Sequence, residues 1–365
     1  MFETLVRPCL KEVSPYHPGK PIGEVQRELG IKRVIKLASN ENPLGPSPKA
    51  TRVIRRLASS NYLYPEGSSP LLREALAKNL SLDSSRVIIG NGSDELIRLL
   101  CETFLNLEDE VIVSRFGFIR FKQQAGLMGA KIIEVPMEQW RHNLVAMAQA
   151  VSSQTKILFV ASPNNPTGTY NTTSELETLL KTVPSRVLVV LDEAYYHYAS
   201  LRPDYPESLR GMIQAHPNLV VLRTFSKAYG LAGMRVGYAI AEPELIRWLD
   251  RIRMPFNVSL LGQLAAQDAL TDKAFVRRSV VLVEREKEKL HPALHHLGLK
   301  VIPSAANFLF VESRIPGKEL FQRLLYQGVI VRPLDEYGLH HHLRISVGTS
   351  SQNKILLKVL GKALG

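Results

Sequence analysis

The chain has 365 residues, 45% of them hydrophobic and 22% charged, which excludes wholesale disorder and predicts two cores sharing a cleft. Forty-six basic against thirty-four acidic side chains give a formal net charge of +12; the basic residues are dispersed, which excludes a polybasic tail and suits a solvated surface or anionic small molecules. No apolar stretch reaches the roughly 18 residues of a membrane span, the first residues lack a signal-peptide core, and Cys9 and Cys101 form no ligand cluster, so a cytoplasmic protein without structural zinc is expected.

In chain order, the opening RPCLKEVSPYHPGKPIGEV carries four prolines, and residues 1–29 are predicted to form an extended arm lying on a smaller domain or a partner. Short apolar runs then alternate with helical patterns: VIKLAS, SPLLREALAKNL, RVIIG, SDELIRLLCETFL, DEVIVS, FIRFKQQAGLMG, KIIEV, KILFVAS, SELETLLKTV, RVLVVLDEA, LVVLRTFS and RVGYAIA. β-Branched runs apolar on both faces, interleaved with helices, predict a mostly parallel sheet covered by helices, a large domain over residues 30–258. Long helical stretches followed by LKVIP, NFLFVES, VIVRP and LRISVGT predict a smaller α+β domain over 259–365. His340, His341 and His342 are consecutive, cannot share one face as metal ligands, and read as loop residues.

The chemistry starts from two run ends. Asp192 closes RVLVVLD and Lys227 follows LVVLRTFS, so both are predicted at the carboxyl edge of the parallel sheet, where open α/β folds bind ligands. Either residue alone is ordinary. Together they match the needs of pyridoxal phosphate, which is held covalently by a lysine and pairs its pyridine nitrogen with an acid. The small apolar neighbours of Lys227 desolvate it and lower its pKa, as a proton carrier requires.

Three further stretches point to the same cofactor. In GNGSDELIRLL, the glycines permit close backbone approach and Ser93 opens a helix whose free N–H groups can hold phosphate oxygens, with Asp94 beside it. Ser226 and Arg235 can add a hydroxyl and a guanidinium. In SPNNPTG, Asn165 can donate an amide N–H to the ring oxygen, and Tyr195, three residues after Asp192, can donate to it too. Phe118 or Phe116 can stack on the ring.

GNGSDE, SPNNPTG, DEAY, TFSKAYGLAGMRVGY and LRISVGT, with LASNENPLGPSP before them, together resemble the fold-type-I pyridoxal-phosphate aminotransferases, and among them the histidinol-phosphate aminotransferase family, over Pro15 to Thr349. The resemblance implies an α/β fold with a large cofactor-binding domain and a smaller α+β domain. It implies transfer of an amino group between L-histidinol phosphate and 2-oxoglutarate, a step of histidine biosynthesis, by a cytoplasmic homodimer with active sites at the subunit interface. By motif, Lys227 is then the covalent anchor, Asp192 the pyridinium partner, Asn165 and Tyr195 the partners of the ring oxygen, and Phe118 the stacking aromatic. Ser93, Asp94, Ser226 and Arg235 fall on the phosphate site, and Tyr64 on a tyrosine sent across the interface to the neighbouring cofactor. Arg344 and Arg332 match arginines that hold the substrate's acidic groups, with Tyr16, Asn42 and Asn307 as further substrate contacts. Phe118 stands where many relatives have tyrosine, and Leu63 where many have arginine. An aromatic-amino-acid aminotransferase and a threonine-phosphate decarboxylase are the alternatives within this architecture. A nucleic-acid-binding protein is not supported, because no Lys/Arg cluster interleaved with aromatics is present.

Overall fold

The structure, a computed structural model, describes residues 2–15 and 19–365, so the predicted substrate residue Tyr16 lies outside the described residues. The first strand, β1 (Ile35–Lys36), stands apart from the large sheet. Seven strands, β2 (Val87–Asn91), β3 (Glu110–Ser114), β4 (Lys131–Val135), β5 (Thr155–Ala161), β6 (Leu188–Asp192), β7 (Leu219–Thr224) and β8 (Val236–Ile240), form that sheet in the order β2-β8-β7-β6-β5-β3-β4. Only β8 runs against its neighbours. Because β8 is antiparallel to both β2 and β7, those two are parallel to each other, and the carboxyl ends of β2, β5, β6 and β7 share one edge.

The doubly buried runs behave as their composition requires. Ile157 and Phe159 of β5 point into one apolar cluster while Leu158 and Val160 point into the other. The same division holds for Val190 against Val189 and Leu191 in β6, and for Val220 and Leu222 against Leu219 and Val221 in β7. Burying a β-branched or aromatic side chain of this kind contributes about 1.5–3 kcal/mol, so the sheet's centre is fixed on both faces and its edge holds whatever the loops present.

Helices α1 (Ile22–Leu29), α2 (Pro48–Leu57), α3 (Pro70–Leu80), α4 (Gly92–Phe104) and α5 (Ile119–Leu127) come from the first third of the chain. The second sheet, β9 (Lys300–Ile302), β10 (Phe308–Glu312), β12 (Arg332–Leu334) and β13 (Leu339–Ser346), has the order β12-β13-β10-β9, and a two-residue strand β11 (Val329–Ile330) pairs with β1 in parallel.

Four local expectations are corrected. The arm is not simply extended: Pro8–Glu12 is a 3-10 helix and α1 occupies its end, placing Val25 in a cluster with Leu325 and Ile330. VIKLAS yields only β1, which joins β11 instead of the large sheet. His340–His342 lie within β13, with His342 stacked on Phe310 at 4.9 Å. The helix Leu260–Leu270, assigned by pattern to the smaller domain, buries Ala265, Ala266, Ala269 and Leu270 in the core of the seven-stranded sheet.

Candidate active site

The edge where β2, β5, β6 and β7 end opens into a cavity of about 510 Å³. Lys227, Asp192, Asn165, Tyr195, Ser93, Asp94, Phe118, Ser226, Arg235, Arg332 and Arg344 all line it. Topology brings them there: Asp192 ends β6, the 162–168 loop follows β5, Ser226 and Lys227 follow β7, and Ser93 and Asp94 open α4 after β2.

Lys227 Nζ donates to the carbonyl of Ser39 at 3.1 Å and stands 5.5 Å from the centre of the Tyr195 ring. Burial, and then repulsion from Arg344, pull its pKa down to about 7. Asp192 is buried and accepts from the Ala194 N–H at 2.9 Å; burial nevertheless dominates that bond and pushes its pKa up to about 7, helped by the Glu193 charge. The cavity thus holds an amine and an acid that both resist charging, so a bound group able to pair with either gains from an environment already desolvated.

Asn165 gives its carbonyl oxygen to Arg344 Nη1 at 2.5 Å, which turns the amide's NH₂ into the half available for donation. Arg344 Nη2 donates to the Ala38 carbonyl at 2.6 Å, and its Nε is buried without an acceptor among the described residues. Arg332, beside Arg344 across β12 and β13, pairs with Glu336 at 2.6 Å. The Tyr195 hydroxyl accepts from Asn40 Nδ2 at 2.9 Å, which fixes the position of its oxygen in the cavity.

The start of α4 is unusually close to its surroundings. Gly92 has φ +74°, and a Cβ there would lie 2.5 Å from Arg235 Nη2; a Cβ on Gly237 would lie 2.4 Å from the backbone N of Ser93. Both glycines keep open a cradle formed by first-turn N–H groups, Arg235 and Ser226, whose hydroxyl accepts from Arg235 Nη1 at 3.4 Å and from Thr224 at 3.0 Å. A phosphate suits such a cradle. With a desolvated lysine, a buried acid, the aromatic face of Phe118 and an orphaned guanidinium N–H, the donor set fits pyridoxal phosphate.

Three other predicted residues do not line this cavity. Asn42 does not line the cavity: its NH₂ donates to the Ala228 carbonyl at 2.8 Å and to Ser279 at 2.9 Å, and its oxygen accepts from Leu44, so it is a structural pin. Asn307 donates to the Asn40 carbonyl at 3.0 Å and is likewise outside the lining. Tyr64 is exposed and stacks on Phe256 at 4.7 Å, away from the cavity of its own subunit. Sequence reading missed Asn40, which sits at φ +56°, a conformation asparagine tolerates, and Arg120, which pairs with Asp94. SNEN offered two asparagines, and only the left-handed backbone tells which one faces the site.

Residues 32–360 match the family described as aminotransferase class I and II, and the chain belongs to it. Within that class it belongs to the histidinol-phosphate aminotransferases. It is 47% identical to the protein of that name from Moorella thermoacetica over 98% of this chain and 92% of that one, and 44% identical to the Bacillus subtilis protein over 98% and 99%. Among solved structures, histidinol-phosphate aminotransferase from Sinorhizobium meliloti in complex with pyridoxal-5'-phosphate superposes with a TM-score of 0.89 at 26% identity, covering 98% of this chain and 97% of that one. A Thermus thermophilus aspartate aminotransferase at 23% identity and TM-score 0.83 shares the fold.

Proposed function

We propose that this enzyme transfers the amino group of L-histidinol phosphate to 2-oxoglutarate, using pyridoxal phosphate, as a cytoplasmic homodimer. The observation that carries the reading is the meeting of Lys227 and Asp192 in one cavity at the carboxyl edge of the sheet. No described helix is long and apolar enough to cross a membrane. We further propose that the chain divides into an arm, a large domain and a small domain, with the second boundary after Leu270, where helix packing changes from the first core to the second.

When bound, the cofactor supplies an electron sink for the carbanion left when the substrate Cα loses its proton. Lys227, with its lowered pKa, is neutral often enough near pH 7 for its Nζ to accept the Cα proton and act as the proton carrier of the reaction. Asp192 as carboxylate holds a proton on the pyridine nitrogen, and its burial keeps water from competing for that bond. The Tyr195 hydroxyl and the Asn165 NH₂ donate to the ring oxygen, while Asn40 and Arg344 hold those two donors in place from behind. Ser226, Arg235 and the first-turn N–H groups of Ser93 and Asp94 hold the phosphate. Arg344 and Arg332 hold the acidic groups of donor and acceptor, whose negative charge also suits the net +12 of the chain. Tyr64, turned away from its own site, reaches the partner's.

The test is kcat/KM for histidinol phosphate, phenylalanine and tyrosine as amino donors. Histidinol phosphate is expected to lead. A preference of more than about tenfold for phenylalanine, ~1.4 kcal/mol in transition-state binding, overturns the assignment in favour of an aromatic-amino-acid aminotransferase.

A further inference from the structure

We propose that Arg120 is a positioning residue for the phosphate end of the cofactor, acting through Asp94, whose carboxylate it neutralises; this rests on reading the cavity as a pyridoxal-phosphate site. Asp94 is the third residue of α4 and lines the cavity. A carboxylate in a helix's first turn complements the helix dipole. The same carboxylate opposes a dianion seated on the same N–H groups, because like charges a few ångströms apart at a partly wet site repel by kilocalories. A phosphate cradle that keeps an aspartate therefore has to cancel its charge.

Arg120 is placed to do so. Its Nε meets Asp94 Oδ1 at 2.6 Å and its Nη2 meets Oδ2 at 3.0 Å, the paired geometry in which a guanidinium grips a carboxylate most firmly. Its Nη1 donates to Gln123 Oε1 at 2.7 Å, and Gln123 Nε2 donates in turn to the Ser14 carbonyl at 3.0 Å, so the fork is oriented from the helix and from the arm. Both members line the cavity and remain partly exposed, Arg120 at 20% and Asp94 at 41% of the side chain. An ion pair that open contributes little to folding; its consequence is at the ligand. The Asp94 charge also reaches Asp192 and raises its proton affinity, so its cancellation is felt along the site.

The experiment is a titration of apo-protein with pyridoxal phosphate, followed by visible absorbance and tryptophan fluorescence, for wild type, R120M, D94N and R120M/D94N. R120M is expected to weaken binding about tenfold or more against wild type, and the same substitution on the D94N background to change it less than about threefold, since the carboxylate to be neutralised is gone. The wild-type deficit of R120M should widen at low salt, as an unscreened repulsion does. Equal affinity of R120M and wild type overturns the proposal. So does an equal loss on both backgrounds, which would mean that the guanidinium acts on the phosphate directly. Should R120M not yield folded apo-protein, R120Q carries the same comparison. Wild-type protein that binds no pyridoxal phosphate overturns the reading of the cavity itself; binding by wild type with no dependence on residue 120 overturns the role of Arg120 alone.

Discussion

Lys227 and Asp192 meet in the cavity, and their burial costs stability in a way that fixes a pH signature. The Lys227 pKa is lowered to about 7, so the unfolded chain binds its proton more readily than the folded one between about pH 7 and the ordinary lysine value. The contribution is therefore least favourable near and below pH 7 and recovers as pH rises through that window. Asp192, raised to about 7, behaves in the opposite sense: it costs nothing below the ordinary aspartate range and becomes unfavourable as pH climbs toward 7. The two costs overlap around neutrality. Apo-protein carrying Lys227→Met should accordingly be more stable than wild-type apo-protein at pH 7, by about 1–3 kcal/mol once screening by water in the cavity is allowed for, and the advantage should shrink toward pH 10. Urea unfolding of both apo-proteins at the two pH values measures it; a gain that grows with pH would mean that Lys227 is charged and paired in the folded apo-protein. The same substitution should abolish transamination. These two residues were legible in the sequence because one closes and the other closely follows a run whose parallel-strand character is unmistakable, and the end of such a strand is a defined place. Asn40 and Arg120 were not, because neither closes a run: one is selected by a backbone angle and the other by the packing of two helices.

Elements turn these side chains into a site through their spacing. Strand β8 lies between β2 and β7, and the close approach of Gly237 to Ser93 sets how near α4 comes to the sheet edge. The obstructing atoms are backbone and cannot rotate away. Gly237→Ala should therefore displace the start of α4, lowering stability by about 1–3 kcal/mol, the usual cost of forcing a methyl into a packed region, and weakening cofactor affinity about tenfold or more. Thermal unfolding and a cofactor titration report the two effects separately. Lost stability with unchanged cofactor affinity would show that the first turn of α4 is not the phosphate cradle. At this scale the large sheet was readable and the small pieces were not. Runs such as KILFVAS are apolar on both faces because the strand is covered on both. Strand β1 has two residues and a partner far along the chain, so its pairing leaves no local pattern. The histidine triplet within β13 hides its alternation because histidine is neither plainly apolar nor plainly polar, and only the stacking of His342 on Phe310 shows which face is inward.

The whole molecule presents exposed aromatic and aliphatic side chains that one subunit does not use. Tyr62, Leu63 and Tyr64 on one loop and Met254 and Phe256 on another are exposed, and Tyr64 and Phe256 stack where the loops meet. The second loop is tied to the start of α4: Asn257 Nδ2 donates to Glu95 at 2.7 Å, and Asn91 Nδ2 donates to the Asn257 carbonyl at 2.9 Å. An apolar surface joined to the start of α4 suits the proposed two-fold dimer, in which each subunit would offer the other its Tyr64. The arrangement has a consequence that a monomer cannot imitate. Homodimers of Lys227→Ala should be inactive, and homodimers of Tyr64→Ala should bind the cofactor weakly. When the two variants are unfolded together and refolded as a mixture, about half the dimers are mixed, and in each of these one site combines an intact Lys227 with an intact Tyr64 from across the interface. Activity at limiting cofactor should rise to about a quarter of the wild-type value per subunit, above either variant refolded alone. Sedimentation of the mixture checks that dimers have formed, and a mixed population no more active than the Tyr64→Ala homodimer would place that tyrosine in its own subunit's affairs and remove the argument for a shared site.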